Sequence, residues 1–567
     1  MNRLIVIAAL APMIGLAQID LSGEWNPVFH EDQPERIPGP EIGDYLGLPI
    51  TDAARLRGEA WDAEILTLPE HQCKPHPADY APRGPANTRI WKEVDRDTQQ
   101  IIAWHTHISW QAPERTIWMD GRPHPPEYAA HTWQGFSTGK WDGDILTVTT
   151  THLKIGWIRR NGIPRSDRAT LTEHWIRHGD RLTLVSIVND PVYLTEPFIR
   201  STDYVLDLHQ QIDPYPCEVV TEVPRPKGEV PNFLPGTNPF LNEFAMRHSV
   251  SEKSARGGLE TMYPRGVGAP TPVKRPVEVP SLTEDGEIHV LPVQGNVYML
   301  FGGGGNTTVQ IGKDGVLVVD TKKTDQAEKL IAAIRKITDK PIRYVLNTSA
   351  DADLTGGNEK VADAGRTITG GNVAGYNAGF PATMVAHEKV AARMREAGAP
   401  PGSWPMDTYF VESKDLFVNG EAVQMFHQPA AHSDGDSLVF FRRSDVVSTG
   451  DIFVPDRYPV IDVARGGSIN GLVNALNRIL DITVPADKQE GGTMVIPGHG
   501  RLCDEADVVE YRDMTTIVRD RIQDMVKKGM TLEQVKAARP TQDYDPLYGP
   551  SDAFVESAYR SLAATKK

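Results

Sequence analysis

The chain has 567 residues, more than a single hydrophobic core accommodates, so about two to four domains are expected. With 40% hydrophobic and 24% charged residues its composition is ordinary for a globular protein. A formal net charge of −16 argues against a nucleic-acid partner, which requires a basic face, and disfavours anionic membrane surfaces.

The first residues read as a secretory signal. Met1-Asn2-Arg3 is a short basic start, 4–16 is an apolar run too short to span a bilayer well, and Gly15-Leu16-Ala17 has the small-x-small pattern of a cleavage site. Residues 1–17 are therefore expected to be removed and the protein exported, to a periplasm or the extracellular medium. No later segment is apolar enough to cross a membrane, so no integral membrane contact is expected. Export permits disulfides. Cys73, Cys217 and Cys503 allow three pairings, and the first two lie in the same half of the chain, so they are the expected pair.

Residues 18–224 read as mostly strands. β-rich runs at 100–109, 115–119, 145–151, 169–177 and 181–189 alternate with the turn signals Asp120-Gly121, Asp142-Gly143 and Gly179-Asp180. Such spacing predicts a closed barrel or a sandwich. Gly135-Phe136-Ser137-Thr138-Gly139 matches G-x-S-x-G, but another strand follows it, so a hairpin turn is expected and not a nucleophile elbow. His105 and His107 share one face of a strand. They could join His124, His131 or His152 on a metal, or simply be polar residues of a barrel face. Trp104, Trp110, Trp118, Trp133, Trp141 and Trp157 could line an apolar cavity or pack the barrel core.

Residues 225–284 are rich in Pro and Gly and read as a linker, or as a strap across both neighbours. From 285 to 567 strands and helices alternate. Strands are expected at 297–300, 308–311, 316–319 and 342–346. A helix is expected at 325–337, with Asp325 and Glu328 as a capping box, and further helices at 387–396, 469–480 and 504–527. His387, at a helix start, reads as structural. Gly302 to Gly305 joins two strands and reads as a hairpin turn, since no Lys-Ser/Thr follows for a phosphate loop.

Five segments of this half carry chemistry. They are Val316-Leu317-Val318-Val319-Asp320, Asn347-Thr348-Ser349-Ala350-Asp351-Ala352-Asp353-Leu354-Thr355-Gly356-Gly357-Asn358, Pro429-Ala430-Ala431-His432-Ser433-Asp434-Gly435-Asp436-Ser437, Ser448-Thr449-Gly450-Asp451, and Ile496-Pro497-Gly498-His499-Gly500. In order and character they resemble the site segments of the metallo-β-lactamase superfamily, over about 285–530. The resemblance implies an αββα sandwich of two sheets with helices outside. At the start of the mature chain, Ser22-Gly23-Glu24-Trp25 resembles the first-strand G-x-W of lipocalin-like barrels, where a Trp plugs one end.

The usual family loop is N-T-H-x-H-x-D-H-x-G-G-N. Here Ser349, Asp351 and Leu354 stand at the degenerate histidine positions, while Asp353, His432, Asp451 and His499 are retained. Leu354 cannot ligate, Ser349 is a poor ligand unless ionised, and Asp351 can ligate through oxygen. One metal position is left with Asp351, His432 and Asp451, the other with Asp353, Asp451 and His499. Without a cation the three carboxylates would repel. The resemblance thus implies one divalent metal (zinc, iron or manganese) and hydrolysis of a small ester, thioester or lactam-type substrate, with Asp353 as the catalytic carboxylate. Asp434 and Asp436 are expected to orient backbone rather than metal. The competing reading is a non-catalytic protein that binds a ligand in its barrel and has lost its metal. A small-molecule partner fits both readings, and the oligomeric state is not specified by the sequence.

Overall fold

The computed structural model describes residues 19–28, 40–84, 86–109, 111, 114–209, 212, 216–258, 261, 285–367 and 380–564. The expected signal segment lies outside these. No helix among the described residues is long and apolar enough to cross a membrane.

Among the described residues nine strands close into a barrel: Gly23–Val28, Thr88–Val94, Ile101–Ile108, Arg115–Trp118, Phe136–Asp142, Ile145–Thr151, Thr170–His178, Arg181–Asn189 and Phe198–Leu206. The first strand closes it by pairing antiparallel on both sides, with Trp25 opposite Leu206 on one edge and Thr88 on the other. Asp142-Gly143 and Gly179-Asp180 make the expected tight turns, with both glycines at positive φ. Asp120-Gly121 does not close a hairpin. The strands flanking it, Arg115–Trp118 and Phe136–Asp142, are parallel, and a two-residue turn cannot join parallel strands. The G-x-S-x-G segment also differs from expectation. It runs along strand Phe136–Asp142, where Ser137 Oγ lies 2.9 Å from Thr150 Oγ1 and accepts from Arg115 Nε at 3.1 Å.

The barrel interior is filled. Trp25 and Trp104 are fully buried, and Trp25 donates from Nε1 to the Leu21 carbonyl at 3.1 Å. Arg115 grips both oxygens of Glu173, a buried ion pair inside the barrel wall. The cavity left beside Trp25, Trp175 and Arg115 measures about 20 Å³, room for about one water. Of the remaining tryptophans, Trp133 and Trp157 line one cavity of about 250 Å³, outside the barrel interior, and the others do not join them. Trp118 lies under Arg122, Trp157 meets Trp61 edge-on, Trp141 packs against the barrel core, and Trp110 is outside the described residues. His105 stacks on Trp91 and contacts Thr116 and Glu93, whereas His131 pairs with His152 and His124 bonds Thr151. These histidines form no metal-type group of three among the described residues.

Two mixed sheets build the second half. Seven strands run in the order His289–Gln294, Val297–Phe301, Thr307–Gly312, Gly315–Val319, Ile342–Leu346, Thr383–His387, Asp407–Tyr409. Six more follow as Ser413–Val418, Glu421–Gln428, Asp436–Phe441, Val446–Ser448, Met494–Ile496, Cys503–Asp504. Strand Gly315–Val319 shows the period-2 logic. Leu317 and Val319 enter the core between the sheets, with Met299, Val423 and Val439. Val316 and Val318 face the other way, onto helix Ala327–Ile337. Helices Ile469–Ile482 and Glu505–Lys527 cover the second sheet, completing an αββα sandwich. The predicted Asp325/Glu328 capping box is absent. Residues Thr324–Gln326 form a 3₁₀ turn, and the α-helix starts at Ala327 without a side-chain cap.

The barrel side and helix Glu505–Lys527 share one apolar core that includes Leu68, Ile158, Tyr193, Val508 and Tyr511. Buried charges cross the same boundary. His71 Nε2 lies 2.7 Å from Asp513 Oδ2, and Lys154 Nζ donates to Asp504 and Asp507 at 2.8 and 2.9 Å. Cys73 and Cys217 form a disulfide, and Cys503 is a buried free thiol. The described part of the Pro/Gly-rich segment touches both sides, through Asn238 on the Glu59 carbonyl and Lys227 on Asp481.

Candidate metal centre

The site lies where parallel strands of both sheets end. Strand Gly315–Val319 delivers Asp320, Ile342–Leu346 delivers Asn347 to Asp353, Val446–Ser448 delivers Asp451, and Met494–Ile496 delivers His499. Parallel strands point their carboxyl ends the same way, so loops remote in sequence meet at one sheet edge.

Asp320 fixes the central loop from behind. It accepts from Thr348 N at 2.9 Å and from Thr348 Oγ1 at 2.6 Å. Burial raises its carboxyl to about 7, against the pull of the Thr348 bonds. Asn347 and Asn358 exchange side-chain hydrogen bonds at 3.0 and 2.9 Å, which ties the two ends of the loop together. The His499 loop is anchored by Asn306, whose Nδ2 donates to the carbonyls of Pro497 and Gly500, both at 3.0 Å. Gly498 permits the loop's close approach, since a Cβ there would lie 2.5 Å from the Gly450 carbonyl carbon and 2.8 Å from Asp451 Oδ1.

The sequence-predicted ligands fall into two groups that share Asp451. Asp353, Asp451 and His499 offer ligand atoms within 4.8 Å of one another, and so do Asp351, His432 and Asp451. In the first group His499 Nε2 lies 3.1 Å from Asp353 Oδ2 and 3.5 Å from Asp451 Oδ1. The hydrogen bond from His499 holds the Asp353 carboxyl below its usual range, and burial raises that of Asp451.

The second group is already satisfied by protein. His432 Nε2 lies 2.6 Å from Asp351 Oδ2, and its Nδ1 lies 2.8 Å from the Val460 carbonyl. With an acceptor at each nitrogen the ring is held as an imidazolium. Burial opposes this, but Asp351, Asp436 and Asp451 outweigh it and raise the His432 pKa. The other oxygen of Asp351 accepts from Arg465 Nη2 at 2.8 Å, and Arg465 Nε donates to Asp462 at 2.6 Å. Burial would raise the Asp351 carboxyl, yet His432 and Arg465 together hold it far below the carboxylate range.

The degenerate positions are structural here. Ser349 is buried and its Oγ accepts from Asp351 N at 3.2 Å. Leu354 is fully buried against the glycine-rich turn, so close that a Cβ on Gly305 would meet its Cδ2 at 2.3 Å. Asp436 accepts from Ser433 N and Oγ, both at 2.7 Å, and so orients backbone as expected, whereas the Asp434 carboxylate pairs with the Arg393 side chain. His387 caps helix Glu388–Glu396. Sequence reasoning missed Arg465 and Asn306. Neither lies in a site motif, although Asn306 directly follows the glycine run.

The donor set of the first group suits a cation. Two carboxylates and one imidazole converge, leaving further coordination positions open as in catalytic sites. The surrounding Asp320, Asp351 and Asp436 add carboxyls, of which His432 and Arg465 offset Asp351 and His432 offsets Asp436.

The family model for the metallo-beta-lactamase superfamily matches residues 300–499. Among solved structures, the DIM-1 metallo-beta-lactamase is similar at 18% identity and TM-score 0.32, covering 40% of this chain and 97% of that one. The stereoselective inverting sec-alkylsulfatase Pisa1 from Pseudomonas sp. is similar at 15% identity and TM-score 0.39, covering 48% and 50%. The metallo-beta-lactamase from Pontibacter korlensis is similar at 14% identity and TM-score 0.33, covering 41% and 99%. No curated protein matches the chain.

Proposed function

We propose that this chain, with its metallo-β-lactamase superfamily domain, is an exported hydrolase of a small ester, thioester or lactam-type substrate. It works with one divalent ion held by Asp353, Asp451 and His499. The observation that carries the reading is the convergence of those three side chains from three separate strand ends, within 4.8 Å of one another. Zinc, iron and manganese all suit two carboxylates and an imidazole.

A divalent cation there supplies Lewis acidity toward an acyl oxygen and toward water. The protein supplies the rest. Asp353, partly exposed at the site, is placed to accept the proton of the attacking water. Asp451, buried between the groups, is reserved for the cation. His432 and Arg465, both held by Asp351, fix the wall beside the site.

The rival reading, a ligand held inside the barrel, has only about 20 Å³ of space to support it. Elemental analysis of the purified full-length protein tests the proposal. About one metal per chain is expected, with ester or thioester turnover that is lost on chelation. Asp451→Ala combined with His499→Ala should remove both metal and turnover, and a metal-free native protein would overturn the assignment. Export is tested by sequencing the amino terminus of the mature protein, expected at Gln18.

A further inference from the structure

A cavity of about 620 Å³ lies between the barrel side and the helices of the second domain, away from the metal-centre residues. This is the size of a small-molecule site. Its walls are largely apolar, formed by Leu68, Trp133, Leu480 and Val509.

Charges also line it, and nearly all are matched within the wall. Lys74 holds Glu510 at 2.7 Å, and Lys154 holds Asp504 and Asp507. Arg512 is shared by Asp513, Asn477 and Glu70. Arg225 pairs with Glu64 and Glu229, Lys227 with Asp481, and Lys488 with Asp487. Glu505 is the exception. Its side chain lines the cavity at 8% exposure, and among the described residues it has no hydrogen-bond donor or ion-pair partner. A buried carboxyl without a partner is costly in its charged form. Burial, with Asp504, raises it to about 8 against the pull of Lys74.

We propose that this cleft is a second ligand site, specific for a compact organic amine whose apolar body rests on Trp133, Leu480 and Val509 and whose ammonium pairs with Glu505. Among the described residues each wall cation has a carboxylate partner, so an anionic ligand would have to compete with an existing pair, whereas an ammonium completes the carboxyl left without one. The proposal is independent of the metal centre.

The test titrates full-length protein at pH 8 with 2-phenylethylamine, 2-phenylethanol and 3-phenylpropionate, read by tryptophan fluorescence and by melting temperature. The amine is expected to bind at least about tenfold tighter than the alcohol, the worth of a charge-assisted bond, and the acid not to bind. Glu505→Gln should bring the amine down to the level of the alcohol, and Val509→Trp, which fills the cleft, should abolish binding. Asp451→Ala with His499→Ala should leave amine binding intact. Equal binding of amine and alcohol to the native protein overturns the proposal, whatever the variants do. So does binding that disappears with the metal ligands, which would place the amine there.

Discussion

Arg465 Nη2 donates to Asp351 Oδ1 at 2.8 Å, so the carboxylate standing at a family histidine position already holds a protein cation. His432 occupies its other oxygen. A fixed guanidinium and an imidazolium thus do for Asp351 what a metal does in a two-metal site. Arg465→Met removes that cation and leaves Asp351, His432 and Asp451 as an available ligand group. The native protein is expected to take up one zinc per chain and the variant two, measured by elemental analysis after dialysis against zinc. A native protein with two, or a variant still at one, contradicts this account.

Asp320 touches no predicted ligand directly, yet it fixes Thr348 at both backbone and hydroxyl. Asp320→Ala leaves two buried donors without an acceptor and frees the loop that carries Asp353. Loss of such a supporting group weakens metal binding by about 10–100-fold. Asp320→Asn retains one acceptor and should fall between Ala and the native protein in zinc affinity by competition with a chelating dye. Equal affinity in all three would show that the loop is held by other contacts.

The barrel provides a prediction about stability alone. Glu173 is fully buried and pairs with Arg115, which Ser137 and Thr150 also contact. Glu173→Gln strands a buried guanidinium, at a cost of about 3–5 kcal/mol. Urea unfolding followed by tryptophan fluorescence should show an earlier barrel transition, with metal content unchanged. A parallel loss of metal would mean that the two halves unfold as one unit.

The sequence made the metal loops legible because each is short, ends a strand and keeps its spacing. Asp353, Asp451 and His499 meet because the strands before Asp451 and His499 are parallel neighbours, with Val447 opposite Val495. Arg465 was not legible: two strands separate it from His432, and an isolated arginine beside glycines reads as surface charge. The parallel pairing of Arg115–Trp118 with Phe136–Asp142 was hidden for a related reason. Asp120-Gly121 is a sound local turn signal, but which strand lies next in space is a tertiary choice. The capping box at Asp325 and Glu328 failed likewise, because the chain enters that helix through a 3₁₀ turn.

Glu505 gives the molecule a distinctive pH response. Burial first, then Asp504, Glu70 and Asp487, raises its carboxyl from 4.5 to about 8, and Lys74 opposes them. The folded state therefore holds a proton that the unfolded chain releases above about 4.5. Its contribution to stability is fully present below 4.5, declines as pH rises, and is gone once pH passes about 8. The slope across that window is at most about 1.4 kcal/mol per pH unit. Glu505→Gln has no proton to lose. Its melting temperature relative to the native protein should be lowest near pH 4.5 and climb steadily to pH 8, then level off. A difference that stays constant across this range would mean that Glu505 is ionised in the fold and has a counter-charge, which would also remove the basis for an amine at the domain cleft.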